Sequence, residues 1–236
     1  MFNFSKTSIF IGLFIIIFII SVSLLIFAPK SKNYYDASTY PFIQYINENN
    51  NQLIKDEFYK IKNNDKWLKY PDKKNTKGDC EIWPLYVFST ESKYRISMNS
   101  ELYKIITNTP DIKSCLFIKF HPKSEIIKSK LWKELANNTL RCLIIIDAPN
   151  DINNCAIWVN GEIKKLKNND LIIFDSSKEY SIYNKTKYPL HILVIDIKRP
   201  NSIPIGTSDI KYNDEIYTLI NTLNEENIKN NTIVVK

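Results

Sequence analysis

The side chains with most potential for chemistry surround one polar corner, FDSSKEYSIYN, at residues 174–184. Apolar residues precede this corner and alternating residues follow it, which predicts two strands joined by a tight turn at 175–177. Asp175 and Glu179 supply carboxylates, and in an all-β enzyme such a corner suits a metal ligand at the mouth of a barrel. The second strand, however, begins at Tyr180, whose phenol must lose a proton of pKa about 10 before it can bind a metal.

Histidine, the usual metal ligand, occurs only at His121 and His191. A non-haem Fe(II) site needs neutral imidazoles, usually two with a carboxylate, and neither histidine lies in an H-x-[DE] pattern. If Leu190, Ile192 and Val194 point inward, the alternation of a strand turns His191 outward. His121 lies near the end of its predicted strand. Both are therefore predicted to be ordinary surface or half-buried histidines.

Arg141 is the cation that most requires a partner. It alternates with Leu143, Ile145 and Asp147 on one face of a predicted strand. If that face lines a barrel, the guanidinium needs an anion, because a buried unpaired charge is costly. Two interpretations stay open: a structural pair with Asp147, Asp175 or another carboxylate, and a remnant of a carboxylate-binding site.

The composition excludes several classes of protein. Glycine occurs four times and forms no phosphate-binding G-x-G-x-x-G or P-loop pattern. The four cysteines contain no C-x-x-C pair, which argues against a zinc knuckle or a thioredoxin-type site. The net charge of +7 comes from lysines scattered among asparagine and glutamate, so we expect a solvated surface and no nucleic-acid partner.

Short strands separated by polar turns dominate the chain beyond Pro110 and favour a sandwich or jelly roll. The predicted strands are Cys115–His121, Leu140–Asp147, Ala156–Val159, Asp170–Asp175, Tyr180–Tyr183 and His191–Asp196, preceded by one from the Gly78-Asp79 turn to about Phe88. Helices are predicted as one or two from Tyr40 to about Lys62, one at 101–107 capped by Ser100, and one at Asp214–Leu223 followed by a loose tail.

The segment Ser8–Ala28 contains no charge. As a helix it would span about 31 Å at ~1.5 Å per residue, close to a hydrocarbon core of about 30 Å. It is longer than the apolar core of a signal peptide and lacks a good cleavage site, so we predict a retained single-pass anchor and a membrane localisation. Lys6 precedes the segment, and Lys30 and Lys32 follow it. This difference in positive charge is too small to set the orientation of the segment in the membrane.

Six motifs follow in order along the chain: YPFIQYINENNNQLIKDEF, GDCEIWPLY, PDIKSCLFIKFHPKSEI, TLRCLIIID, CAIWVNGEIKKLKNNDLIIFDSSKEYSIYN and PLHILVIDIKRP. Their order and spacing resemble the aspartyl/asparaginyl β-hydroxylase family from about residue 40 to residue 200. The resemblance implies a double-stranded β-helix and, for the family, hydroxylation of Asp or Asn side chains with Fe(II) and 2-oxoglutarate. The predicted fold class is thus mainly β with flanking helices, a jelly roll preceded by a single transmembrane helix. The predicted division is a tail (1–7), an anchor (8–28), a linker (29–39), the hydroxylase-like domain (40–200) and a C-terminal helix and tail (201–236).

The resemblance also identifies where the family's functional residues should lie. The first iron-binding histidine falls on Ser129 and the second on Tyr180. The R-C-H segment that binds the co-substrate keeps Arg141 but has Leu143 in place of histidine. The arginine expected to pair with the 2-oxoglutarate carboxylate is Leu190. The resemblance therefore predicts the fold of the family without its ligand set.

We accordingly predict a membrane-anchored pseudoenzyme that acts by binding or scaffolding, with a protein or peptide partner. This hypothesis assigns no catalytic residue, no metal ligand and no cofactor, and leaves Arg141 as the remnant of a co-substrate site. One alternative is an active hydroxylase that uses Fe(II) and 2-oxoglutarate at an atypical site. Another is a tethered scaffold that retains the fold for its surface alone.

Overall fold

The structure is a computed structural model that describes residues 14–19, 31–129, 133–151, 153–211 and 214–233. The strands are β1 (Tyr34–Tyr35), β2 (Leu68–Lys69), β3 (Thr76–Lys77), β4 (Cys80–Val87), β5 (Thr90–Glu91), β6 (Ile112–Phe120), β7 (Ser124–Ser129), β8 (Thr139–Asp147), β9 (Cys155–Val159), β10 (Glu162–Lys165), β11 (Leu171–Phe174), β12 (Tyr180–Asn184) and β13 (Leu190–Lys198). The helices are α1 (Pro41–Ile61), α2 (Lys93–Met98), α3 (Ser100–Thr107), α4 (Lys133–Ala136) and α5 (Asp214–Ile233), with a 3₁₀ turn at Ala37–Thr39.

These strands form two antiparallel sheets that face each other across one apolar interior, as in a jelly roll. The larger sheet has the order β1-β11-β8-β13-β6-β4-β2, with β5 paired to β4, and the smaller has the order β10-β9-β12-β7-β3. Alternate side chains of both sheets meet in an inner cluster that includes Ile118 and Val194 from the larger sheet and Ile157 and Ile182 from the smaller. The mainly β, jelly-roll part of the predicted fold class agrees with this architecture.

The larger sheet is buried on both faces, which explains why its central strands are continuously apolar. In β8, Leu143 and Ile145 point into the inner cluster, whereas Ile144 and Ile146 point outward. Helix α1 covers that outer face with a stripe of buried side chains at roughly helical spacing. Its members are Ile43, Ile46, Ile54, Phe58 and Ile61.

Helix α5 packs at one end of the two sheets. Its Leu219 and Leu223 are 8% and 0% exposed and belong to the same cluster as the inner side chains of the strands. Two further contacts hold it: Arg95 Nη1 donates to Glu226 Oε2 at 2.5 Å, and Asn227 Nδ2 donates to the carbonyl of Glu91 at 2.7 Å. The helix therefore closes this end of the barrel.

The predicted transmembrane helix at Ser8–Ala28 is contradicted. Within that segment the described residues 14–19 are helical. No helix in the described part of the chain is long and apolar enough to cross a membrane. This finding corrects the transmembrane element of the predicted fold class and the predicted single-pass localisation. Residues 8–13 and 20–28 of the segment lie outside the described residues.

The other predicted strands and helices are present, but Ser100 is the first residue of α3 and does not cap it. Six strands were missed: the two-residue strands β1, β2, β3 and β5, and the longer β7 and β10. The segment from Tyr40 to Lys62 is one helix, and α5 continues to Ile233, ten residues beyond the predicted end at Leu223. Strand β10 was missed because all four of its side chains are exposed, so it has no apolar alternation to detect. Strand β7 was missed because its alternation is broken: Ser124 and Ile126 are buried two residues apart, but the next buried residue is Ser129, beyond a register shift.

Candidate functional site

Ser129 and Tyr180, which the resemblance assigns to the two iron-ligand positions, are neighbours in the structure. Ser129 ends β7 and Tyr180 begins β12, and the two residues are directly paired across these antiparallel strands. Both are buried, with exposures of 2% and 0%. The structure therefore brings the two sequence-predicted positions together at one end of the barrel interior, with a hydroxyl and a phenol where imidazoles were expected.

Arg141 reaches the same place from β8 in the opposite sheet. Its Nη1 donates a hydrogen bond to the Tyr180 hydroxyl at 3.2 Å. The Tyr180 ring also packs edge-on against Phe174, with ring centroids 5.1 Å apart. The phenol is thus fixed by a cation on one side and an aromatic ring on the other, and it points into the site without facing open solvent.

Asp196 of β13 occupies the carboxylate-binding fork of Arg141. Arg141 Nε and Nη2 donate to the two carboxylate oxygens of Asp196 at 2.8 and 2.9 Å. Burial alone would lower the pKa of the guanidinium, but the charge and hydrogen bonds of Asp196 outweigh it and raise the pKa above its ordinary value. The partner of Arg141 is therefore neither Asp147 nor Asp175. Asp196 could have been found from its strand, because it continues the inward alternation of Ile192 and Val194.

Tyr70 and Asp72 complete the polar cluster, and neither was singled out from the sequence. Ser129 Oγ lies 3.4 Å from Asp72 Oδ2. The same carboxylate oxygen accepts from Asn75 Nδ2 at 3.0 Å, so Asp72 is already engaged in its own turn. Burial raises the pKa of the Tyr70 phenol well above its ordinary value, and the neighbouring Tyr180 raises it further. The Tyr70 phenol therefore stays protonated and neutral, and it lines the site beside Tyr180.

The carboxylate of Asp175, in the polar corner, is held by Arg199. Arg199 Nη2 donates to Asp175 Oδ1 at 2.6 Å and Nη1 donates to Oδ2 at 3.1 Å. Ser177 Oγ also donates to Asp175 Oδ1 at 2.6 Å. Glu179, by contrast, is half-buried, and its carbonyl accepts from the backbone of Asn160. Asp175 therefore stabilises the corner as a structural residue.

His191 faces away from the barrel interior, as predicted, but it is not a surface residue. It is 1% exposed because α1 covers it, and its ring lies 4.5 Å from that of Phe58. Burial lowers its pKa to about 4, opposed by the nearby charge of Asp147. A neutral imidazole locked beneath a helix on the outer face cannot reach the positions of Ser129 and Tyr180.

His121 lies in a different cluster on the surface of β4 and β6. His121, Asp79 and Glu81 each offer one potential metal-ligand atom, and these three atoms lie within 4.8 Å of one another. His121 Nε2 is 2.8 Å from Glu81 Oε2. Lys69 Nζ, however, already lies 2.6 Å from Asp79 and 3.4 Å from Glu81. A lysine ammonium therefore neutralises these carboxylates and competes with any metal cation.

The four cysteines offer no thiolate nucleophile. All four are free and buried. Burial raises the pKa of Cys80 to about 11 and that of Cys155 to about 12. At neutral pH these thiols stay protonated and serve as small apolar core residues.

The donor set at the family's iron position does not fit Fe(II). The site offers a serine hydroxyl, a phenol that accepts from Arg141, and a carboxylate already engaged by Asn75. Ferrous iron prefers imidazoles with carboxylate, whereas a hydroxyl binds it weakly and a phenol must first ionise. In addition, Asp196 already fills the guanidinium fork that a co-substrate carboxylate would need.

Three comparisons place the chain among known proteins. The sequence profile described as Aspartyl/Asparaginyl beta-hydroxylase matches residues 48–200. No curated protein matches the sequence significantly. Similar solved structures include a Pseudomonas putida prolyl-4-hydroxylase (9% identity, TM-score 0.44, covering 64% of this chain and 86% of that one). A 2OG-Fe(II) oxygenase family protein from Burkholderia pseudomallei has 9% identity and a TM-score of 0.40, with 61% and 76% covered. A predicted oxalate decarboxylase from Thermotoga maritima has 16% identity and a TM-score of 0.38, with 56% and 92% covered.

Proposed function

Because the chain belongs to the aspartyl/asparaginyl β-hydroxylase family, we propose that it is a member without iron-dependent hydroxylation, which acts by binding a protein or peptide partner. The observation that carries this proposal is the pairing of Ser129 with Tyr180 at the ligand positions, together with the closed contact between Arg141 and Asp196. At the positions that the resemblance assigns to the site, a metal would find no imidazole, and a co-substrate carboxylate would find Arg141 already paired with Asp196.

Weak metal binding and weak co-substrate binding have separate physical causes. Loss of a single partner that merely orients a metal ligand costs about 10–100-fold in metal affinity or activity. Replacing both imidazoles removes the ligands themselves, so the loss of affinity should be larger. For 2-oxoglutarate, binding to Arg141 would require displacing Asp196, which is itself buried and would be left without its cation.

The direct test measures iron and turnover on the full-length chain. The protein, loaded with Fe(II) under anaerobic conditions and desalted, should retain far less than stoichiometric iron by plasma mass spectrometry. With 2-oxoglutarate, oxygen and ascorbate it should form no succinate above the rate of free iron. Stoichiometric iron together with succinate formation that is lost in Tyr180→Phe would instead establish an active hydroxylase with an atypical site.

A matched variant tests whether the two positions are correctly assigned. The double substitution S129H/Y180H places imidazoles on the same paired strands. If these are the ligand positions, this variant should retain more iron than the wild type, whereas S181H, on the other face of β12, should not. Equal iron in both variants would contradict the assignment.

The binding part of the proposal requires a separate measurement. Crosslinking of the full-length chain in the cells that express it should recover the same partner with the wild type and with S129H/Y180H. An unrelated jelly-roll protein of similar charge serves as the control. Recovery of no partner above that control would contradict a binding function.

A further inference from the structure

Helix α5 and the segment that follows β2 enclose a cleft of about 480 Å³, here called the α5 cleft. Its lining residues come from Leu68–Lys74 on one side and from Asp214–Thr222 of α5 on the other. The volume lies within the range of about 300–1,000 Å³ in which proteins hold small ligands. Because α5 begins beyond residue 200, this cleft has one wall outside the family-matched region.

The wall of the α5 cleft is predominantly apolar. Leu68, Tyr70 and Pro71 line one side, and Leu219, which is 8% exposed, lines the other. Leu68 and Tyr70 pack against the same inner cluster as Leu219. The cleft is thus an opening into apolar core surface, and an apolar body placed there would be removed from water.

The rim of the α5 cleft is positively charged. Lys73 and Lys74 are exposed and form no ion pair with any described residue. Lys69 is a third lysine of the lining, but it is paired with Asp79 at 2.6 Å. Asp214 is the single acidic residue of the lining, so two unpaired cations face one carboxylate.

We propose that the α5 cleft binds an amphipathic anion, a small molecule with an apolar chain or ring and a carboxylate head. The chain would lie on Leu68, Pro71 and Leu219, and the head would lie at the rim between the ammonium groups of Lys73 and Lys74. The apolar wall supplies affinity through burial, and the unpaired lysines select for negative charge. Tyr70 lines both this cleft and the cluster around Tyr180, but the contacts proposed for the ligand use neither Ser129 nor Tyr180.

A second cleft of the described chain provides the comparison. It has a volume of about 660 Å³ and contains two exposed lysines, Lys113 and Lys198, together with Asp111. Its wall includes three asparagines and Arg199, whose guanidinium is already bound to Asp175. Apart from the paired lysine of the α5 cleft, the two clefts therefore have the same number of exposed lysines and aspartates, but the second cleft has a more polar wall.

Isothermal titration of the full-length chain with decanoate, in buffer without detergent, tests the proposal. Decanoate should bind saturably, and the neutral analogue decanol should bind more weakly. The double variant K73E/K74E should weaken decanoate binding by about tenfold or more, whereas K113E/K198E, with the same change in net charge, should weaken it by less than about twofold. Circular dichroism checks that both variants are folded.

Several results would contradict the proposed ligand site. Absence of saturable binding, tighter binding of decanol, or equal loss in the two double variants would contradict recognition by the α5 cleft. A decanoate that carries a diazirine gives an independent readout, because irradiation should label peptides from Leu68–Lys74 and α5. Labelling confined to other peptides would overturn the site even if the titration showed binding.

Discussion

The contact between Arg141 and Asp196 leads to a prediction whose magnitude follows from burial. Asp196 is 0% exposed and Arg141 is 7% exposed, and two charge-assisted hydrogen bonds of 2.8 and 2.9 Å join them. Removing one partner of such a pair leaves the other charge buried and uncompensated, which costs about 3–5 kcal/mol. Asp196→Asn keeps the shape of the side chain and one acceptor oxygen, so we expect a loss of about 3 kcal/mol in the free energy of unfolding.

The assay is equilibrium unfolding in urea, with an exposed ion pair of the same chain as the control. Lys69 and Asp79 are 2.6 Å apart, but their side chains are 61% and 51% exposed. Asp79→Asn should therefore cost less than about 1 kcal/mol. The double variant Arg141→Met/Asp196→Leu should lose less than the sum of its single variants, because both charges are removed together.

Two results would refute this reasoning. If Asp196→Asn costs no more than Asp79→Asn, the buried pair does not stabilise the fold as its geometry implies. If 2-oxoglutarate raises the unfolding midpoint of the wild type but not of an Arg141 variant, the guanidinium remains available to a ligand carboxylate. That outcome would favour the interpretation of Arg141 as a co-substrate site over a purely structural one.

Three further predictions concern stability. Burial lowers the pKa of His191 from 6.5 to about 4. Between these values the unfolded chain binds more protons than the folded chain, so stability should fall as pH decreases from about 6.5 to about 4. Urea unfolding of His191→Phe should show a weaker pH dependence over that window. Leu223→Ala, at a 0% exposed position of α5, should cost about 2–5 kcal/mol, whereas Ile228→Ala, at 66% exposure, should change the urea midpoint little. A Cβ at Gly78, where φ is 72°, would lie 2.8 Å from the carbonyl oxygen of Lys123. Gly78→Ala should therefore lower the thermal midpoint more than Gly161→Ala, because Gly161 has a φ of 95° but no atom within 4 Å of its Cβ position. Equal effects would show that backbone strain alone decides both.

The jelly roll was predictable because its determinants are local. Each central strand carries its own alternation or apolar run, as in β8, and each is bounded by turn residues such as Gly78, whose positive φ the turn requires. The motif order then identified the family, which the sequence profile over residues 48–200 confirms. The exposed β10 lacked such a signal, because no face of it is buried.

The transmembrane prediction shows where a local pattern misleads. The apolar run at residues 8–28 has the composition of a membrane helix. Only residues 14–19 of that run belong to the described part of the chain, and no helix in that part is long and apolar enough to span a bilayer.

The sequence by itself determined which chemical groups this chain possesses: serine and tyrosine at residues 129 and 180, and histidines only at 121 and 191. The pairing of Ser129 with Tyr180 did not follow from strand periodicity, because a register shift between Tyr180 and Ile182 sets it. Only the tertiary structure decided which groups meet across long separations. It paired Arg141 with Asp196, which is 55 residues away, buried His191 beneath Phe58 and laid α5 over the end of the barrel. A strand pattern fixes the face on which a side chain lies, but the partner it finds there depends on how distant segments pack.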